Sequence, residues 1–322
     1  MNVLLVRADG IGDALACVPL LAALRDAGHT VGAVLGPANR DVFAQTALAR
    51  VHVLERIAWP HHGSTPQSRR RALAEARLGG YDIALVASEE MDAFRFAREA
   101  RVARRVGFVN GWEKPFKTLW VRRLLTRALR RPATAARATE HEVQTLFRLG
   151  AGLFAETQPT RDLLRLRPLV LDEPAAPHGA VVLQVSQKLA GCGLDPATYA
   201  ALAARLNAHG LAVLAAGDDE RAVALVAREG AAEARTRLGV REWKTLLAGA
   251  RLLVTPDSGA AHVAGMLGVP CVDCFAPSGA TARDILRWRP WAAPNRTIVL
   301  DPARDRESTA AQLAHAALEL LA

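Results

Sequence analysis

Short apolar runs alternate along the chain with stretches whose apolar residues recur every three or four positions. The apolar runs predict strands over Val3–Val6, Thr30–Leu35, Val51–Leu54, Asp82–Ala87 and Arg105–Phe108. The helical period predicts helices between them, over Asp13–Ala27, Ala38–Gln45, Pro66–Leu78 and Met91–Arg104. Strand and helix in turn are the mark of parallel βαβ units, because parallel neighbours need a long crossover to join them. A further helix is expected over Thr139–Leu149, ending at Gly150, which can take the left-handed cap.

Residues 157–178 break the pattern with Pro159, Pro168, Pro174 and Pro177, which reads as a connection between domains. The alternation then restarts. Strands are expected over Ala180–Val185, Ala212–Ala216, Leu252–Thr255 and Val269–Phe275, and helices over Pro196–His209, Glu220–Glu229, Arg241–Ala248, Ser258–Leu267 and Ser308–Leu321. The chain therefore reads as α/β, with two tandem Rossmann-like domains over residues 1–168 and 176–322. A cleft is expected between the carboxyl ends of their sheets.

Composition narrows the class. Of 322 residues, 51% are apolar and only 5% aromatic, which excludes a disordered chain and predicts aliphatic cores. The formal charge of +9 favours acidic partners: nucleic acid, anionic lipid or phosphorylated small molecules. The opening run MNVLLVR is too short for a signal peptide or a membrane span, and the four cysteines read as reduced thiols of a cytoplasmic protein. Cys271 and Cys274 form a C-x-x-C on an expected strand without a second pair, so zinc is not expected.

The stretch VRADGIGDALACVPLLAALR, residues 6–25, places Gly10 and Gly12 at a strand-to-helix turn. Leu15 stands where a dinucleotide fingerprint needs its third glycine. The second strand ends in Gly36 and Pro37 rather than a ribose-binding acid, so a nucleotide-dependent oxidoreductase is disfavoured. By position Asp13 caps the helix Ala14–Ala27, worth about 1 kcal/mol. The helix dipole also keeps such a carboxylate charged and able to accept a proton, so cap and base are compatible roles.

Late in the chain, VTPDSGAAHVAGMLGVP, residues 254–270, sets Asp257, Ser258 and Gly259 at a helix start with His262 one turn beyond Ser258. Backbone N–H groups at such a terminus suit a diphosphate, to which His262 can add a hydrogen bond. The alternative is an ordinary capped helix with a surface histidine.

These two stretches together resemble glycosyltransferase family nine, the lipopolysaccharide heptosyltransferases: a GD near the start before a proline-containing helix, and D-[TS]-G-x-x-H late. TEHEVQTLFRLG (139–150) and GVREWKTLLAGARLLVTPDSG (239–259) are similar to further segments of that family. The resemblance implies a GT-B fold and inverting, metal-independent transfer, without a cofactor, from a nucleotide-sugar donor, typically ADP-heptose, to a lipopolysaccharide core-like acceptor. Asp13 matches the family's catalytic base. Asp257 would orient sugar hydroxyls, and Ser258, Gly259 and His262 would hold the diphosphate.

One departure stands out. Aligned backwards from Tyr199, Cys192 takes the place of the family's lysine, and the nearest cation is Lys188, four residues earlier. Either the loop is reshaped so that Lys188 reaches the phosphate, or the function has shifted, in the extreme to a non-catalytic sugar-nucleotide-binding protein. Ser186 and Gln187 share that loop on the donor side. In GDDER, Glu220 is placed to meet the ribose, or Asp218 or Asp219 simply caps the next helix.

Arginines recur from Arg95 to Arg131, with Trp112, Phe116 and Trp120 interleaved. This region reads as a solvated face, or as a surface for an anionic glycolipid acceptor and the anionic inner-membrane surface, with Arg122 and Arg123 on the acceptor side. Gly10 and Gly12 leave room there for the acceptor. Nucleic acid is not an expected partner, because no recognition motif accompanies the charge.

Overall fold

The computed structural model describes residues 1–55, 63–133 and 137–322. They form two units, Met1–Asp172 and Glu173–Ala322. The first holds β1 (Asn2–Arg7), β2 (Thr30–Leu35), β3 (Arg50–Val53), β4 (Ile83–Val86), β5 (Arg104–Val109) and β6 (Arg127–Arg130) in the order β3-β2-β1-β4-β5-β6. The second holds β7 (Val181–Gln184), β8 (Val213–Ala216), β9 (Glu233–Arg235), β10 (Leu252–Pro256), β11 (Cys271–Phe275) and β12 (Asn295–Val299) in the order β12-β11-β10-β7-β8-β9. Every pairing is parallel.

Numbered within its own unit, each sheet runs 3-2-1-4-5-6, the Rossmann order. The order reverses between β1 and β4 in one unit and between β7 and β10 in the other. Helices on both faces of a parallel sheet demand strands that are apolar throughout, and Val3–Val6, Ile83–Val86, Val181–Leu183 and Leu252–Val254 are all buried.

Hydrophobic pattern revealed the outer strand β3 but not the other three outer strands. RALR in β6, EAR in β9 and NRTIV in β12 lie at sheet edges, where one side is open to water and apolar residues are not required. Nor did it reveal the helices Pro115–Arg122 and Thr281–Trp288. A third, Leu163–Val170, lies inside the segment expected to be a bare connection. Asp162 caps it, its carboxylate accepting from the Leu164 N–H at 2.9 Å, and Leu166, Leu169 and Val170 are buried.

Three expectations are corrected. Residues 38–45 do not form a helix: the buried Asn39 accepts from the Gly36 N–H at 2.7 Å and donates to the Arg7 and Asp9 carbonyls at 3.1 and 3.0 Å. Those side-chain bonds hold the backbone in turns. The helix expected over Asp13–Ala27 is two, Ile11–Leu15 and Val18–Asp26, because Pro19 has no N–H to continue the first. Gly150 is not left-handed; a Cβ there would come within 2.4 Å of the Phe154 ring and 2.8 Å of Leu20, so glycine serves close packing. The helix before it is Glu142–Phe147, begun by a capping box at His141.

Candidate active site: two strand switch points

The first constellation grows from the end of β1. Arg7 ends that strand 3% exposed, and a guanidinium so buried needs every donor occupied. It donates to the Ala87 carbonyl beyond β4 and to Asp13 Oδ1, and its Nε lies 2.8 Å from Asp9 Oδ1. Burial works against its charge, but Asp9 and Asp13 outweigh burial and raise its pKa further. Burial also pushes the Asp9 carboxyl up to about 6, against the pull of Arg7 and with added repulsion from Asp13. Asp13 is the exposed member of the trio, with 36% of its side chain open to solvent.

Asp13 is therefore not a helix cap. Gly10 occupies the N-cap of Ile11–Leu15, Gly12 lies within that helix, and Asp13 in the first turn is tied back to Arg7. Its rotamer is set by a charged partner from the strand rather than by the helix's own N–H groups. The sequence signal for Arg7 and Asp9 was a pair of charges closing an otherwise apolar strand in the stretch already singled out.

Next to this trio, the same sheet edge carries a second buried network. Arg131, 4% exposed, makes two bonds to the 2%-exposed Glu142 at 3.1 and 3.2 Å and approaches Glu89 at 2.6 Å. Lys117 on Pro115–Arg122 feels the Glu89, Glu90 and Arg131 charges; burial, the largest influence, lowers its pKa. Arg122 and Arg123 lie exposed at the end of that helix.

The second unit builds its constellation from the loops after β7 and β10. Ser258 caps the helix Gly259–Leu267, its hydroxyl accepting from the Ala260 N–H at 3.3 Å and lying 3.0 Å from Thr255 Oγ1. The Gly259 N–H belongs to the first turn, whose donors a helix leaves without an internal partner. His262 is 6% exposed rather than a surface residue, set edge-on to Trp288 with ring centroids 5.5 Å apart. The helix can sink this far because Gly265 lies against the chain at Pro290–Trp291, where a Cβ would come within 2.6 Å of the Trp291 nitrogen.

Lys188 reaches this terminus. Its Nζ donates to the Asp257 carbonyl and lies 3.3 Å from Asp257 Oδ2. Ser186 folds the loop by accepting from the Lys188 N–H at 3.2 Å, and Gln187 donates to Asp219 Oδ2 at 3.3 Å. The structure thus gathers Ser186, Gln187, Lys188, Asp257, Ser258 and Gly259 around one switch point. Cys192, at the family lysine's place, packs against the core. Glu220 is held in a two-bond pair with Arg237 at 2.6 and 2.8 Å, and Asp219 caps its helix.

Asp273 on β11 was not singled out in the sequence. It is 0% exposed, and neither carboxyl oxygen has a hydrogen-bond partner among the described residues. Burial, with the nearby Asp257 charge and against Lys188, pushes it well above the carboxylate range. Cys271 and Cys274 lie buried on the same strand, three residues apart and so on opposite faces, an arrangement that does not make one ligand pair.

Residues 193–314 match the family model Glycosyltransferase family 9 (heptosyltransferase). That match lies within the second unit. No curated protein matches the chain. Among solved structures, the family 9 glycosyl transferase from Veillonella parvula is similar at a TM-score of 0.73 and 14% identity, over 99% of this chain and 97% of that one. The E. coli heptosyltransferase WaaC with ADP-2-deoxy-2-fluoro heptose is similar at 0.72 and 18%, over 99% and 98%. The E. coli ADP-heptose lps heptosyltransferase II is similar at 0.67 and 16%, over 98% and 99%. At such identities these likenesses show the fold, two tandem Rossmann-like domains of the GT-B kind. With the family 9 match, the enzyme class is glycosyltransferase.

Proposed function

We propose that this family 9 protein is an inverting, metal-independent transferase that moves heptose from ADP-heptose onto a lipopolysaccharide core-like acceptor. The observation that carries the reading is the Arg7–Asp13 pair: a solvent-open carboxylate aimed by a buried guanidinium at the carboxyl edge of the first sheet. Such a carboxylate can take the proton of an acceptor hydroxyl as the oxygen attacks the anomeric carbon. The bond from that carbon to the diphosphate oxygen breaks with its electron pair, and the growing negative charge falls on the leaving nucleoside diphosphate.

The second unit supplies the groups that meet this charge: the Gly259 N–H, the Ser258 hydroxyl, His262 and the Lys188 ammonium. In this reading Lys188 stands in for the lysine missing at Cys192. Asp257 positions Lys188 and orients sugar hydroxyls, Ser186 and Gln187 line the loop toward the donor, and Glu220 meets the ribose by exchanging Arg237 for it. That WaaC was solved with an ADP-heptose analogue supports the choice of donor.

The acceptor side is assigned to Gly10, Gly12, Arg122 and Arg123, and the basic region around them to an anionic glycolipid at the cytoplasmic face of the inner membrane. Among the described residues, no helix is long and apolar enough to cross a membrane. The test is a thermal-shift panel of sugar nucleotides followed by transfer assays. An ADP-sugar that raises the melting temperature and donates its sugar supports the reading, since a ligand of the folded state stabilises it; binding to no ADP-sugar overturns it. Cys192 at the lysine's place favours one second reading, a sugar-nucleotide-binding protein without transfer. Binding of ADP-sugar with no transfer to any acceptor would select it.

A further inference from the structure

Trp112 and Phe116 are the most exposed large apolar side chains among the described residues, at 89% and 87%, and Leu119 beside them is 59% exposed. These three fall within eight positions of the chain, whereas the other exposed large apolar residues, such as Leu78, Leu164 and Val299, are dispersed along it. Phe116 and Leu119 are three apart on the helix Pro115–Arg122 and so share a face, and Trp112 precedes them in the short turn Gly111–Glu113. The rest of the helix is anchored. Val121 is buried, Trp120 packs on the core beneath the Arg95 guanidinium, and Lys117 turns toward the Glu89 and Arg131 network.

The apolar face is rimmed by cations. Lys114, Arg122 and Arg123 on this element and Arg95 and Arg98 on the helix Met91–Glu99 are exposed, and none of the five is in an ion pair among the described residues. Nearby acids are otherwise engaged: Glu113 lies 3.6 Å from Arg137 and Glu99 lies 3.1 Å from Arg69. Aromatic side chains within a cationic rim match one surface, the headgroup and upper acyl region of an anionic bilayer. A soluble acidic partner would account for the cations but not for a tryptophan and a phenylalanine left almost wholly in water.

We propose that Trp112, Phe116 and Leu119 insert into an anionic bilayer and seat the first unit on it, with the surrounding lysine and arginines at the headgroups. The proposal rests on the membrane-facing reading of the basic region and adds an apolar contact that charge alone does not require. The inserted element follows the carboxyl end of β5, the same edge of the parallel sheet at which β1 presents Asp13. A lipid-anchored acceptor lying in that bilayer would therefore reach the Asp13 edge without leaving the membrane.

The test is flotation of the full chain with phosphatidylcholine vesicles, with and without about one third phosphatidylglycerol, for wild type and Trp112→Ser/Phe116→Ser. Wild type should float with the anionic vesicles. The double variant should bind at least tenfold more weakly while melting at the wild-type temperature and binding ADP-sugar normally. Equal flotation of the two overturns the insertion and leaves an electrostatic contact standing. No flotation of wild type overturns the membrane reading together with it. A wild-type dimer in sedimentation that the double variant dissolves, without vesicle binding, assigns the patch to a second copy and also overturns the proposal.

Discussion

The two units share a strand order yet handle charge at their switch points in opposite ways. In the first, the strand ends carry ionised groups into the interior: Arg7 between Asp9 and Asp13, and Arg131 between Glu89 and Glu142. In the second, the switch point carries a helix terminus, small residues and a half-exposed Lys188–Asp257 pair, while the buried Asp273 carboxyl has no hydrogen-bond partner among the described residues. A buried pair makes a rigid aiming device, because each charge is costly to leave alone. A backbone terminus presents partial positive charge without burying an ion and can hold a diphosphate whose own charge is full. The contrast fits a base that must be pointed in one unit and an anion that must be received in the other.

The largest effect expected is on the buried network. Arg131→Leu removes the buried guanidinium that Glu89 and Glu142 share and should cost about 3–5 kcal/mol in urea unfolding. Lys188→Ala, breaking the exposed pair of the second unit, should stay within about 1 kcal/mol after solvent screening. Equal losses in the two variants would erase the contrast. Next comes Asp13→Ala, which should lower turnover about 10²-fold or more while ADP-sugar binding survives in calorimetry. Near-normal turnover would remove Asp13 from the mechanism.

The pH dependence separates the two buried carboxyls, Asp9 beside Arg7 and Asp273. Both Asp9 and Asp273 are raised in the folded state, so above the usual 3.8 the folded chain holds protons that the unfolded chain has lost, and stability falls as pH rises. For Asp9 the fall levels off just above about 6 and should amount to roughly 3 kcal/mol. For Asp273, with no partner, it continues to higher pH. Asp9→Asn should therefore flatten urea midpoints between pH 4 and 6. Asp273→Val should gain stability at pH 8 relative to pH 4. An Asp273→Val variant no more stable than wild type at pH 8 would mean that water or another group satisfies the carboxyl. On binding, the effect expected of His262→Ala is a loss of about tenfold in ADP-sugar affinity, or about 1.4 kcal/mol. Unchanged affinity would take His262 out of the donor site.

Much of the architecture was legible because parallel strands buried on both faces must be apolar along their whole length. VLLV, IALV and LLVT announce themselves for that reason. What escaped was whatever is not defined by burial. RALR and EAR pair through backbone alone, and the helix Leu163–Val170 stands on an aspartate cap and three buried side chains within a proline-rich stretch. At the site, the D-S-G-x-x-H spacing located Ser258, Gly259 and His262 on one helix, because four residues are about one turn. It did not show that His262 is buried, which follows from Gly265 letting the helix sink.

By itself, the sequence determined the class of the fold, its two-part division and part of each switch point: Asp13 in one, and Lys188, Asp257, Ser258 and Gly259 in the other. These follow from local rules: period, punctuation by glycine and proline, and motif spacing. Only the tertiary structure decided what those residues are bonded to. It turned Asp13 from a helix cap into the partner of Arg7, brought Lys188 to Asp257 across 69 positions, and exposed Asp273 as a carboxyl without a hydrogen bond. Partners distant in sequence are set by sheet order and register, which no local pattern encodes.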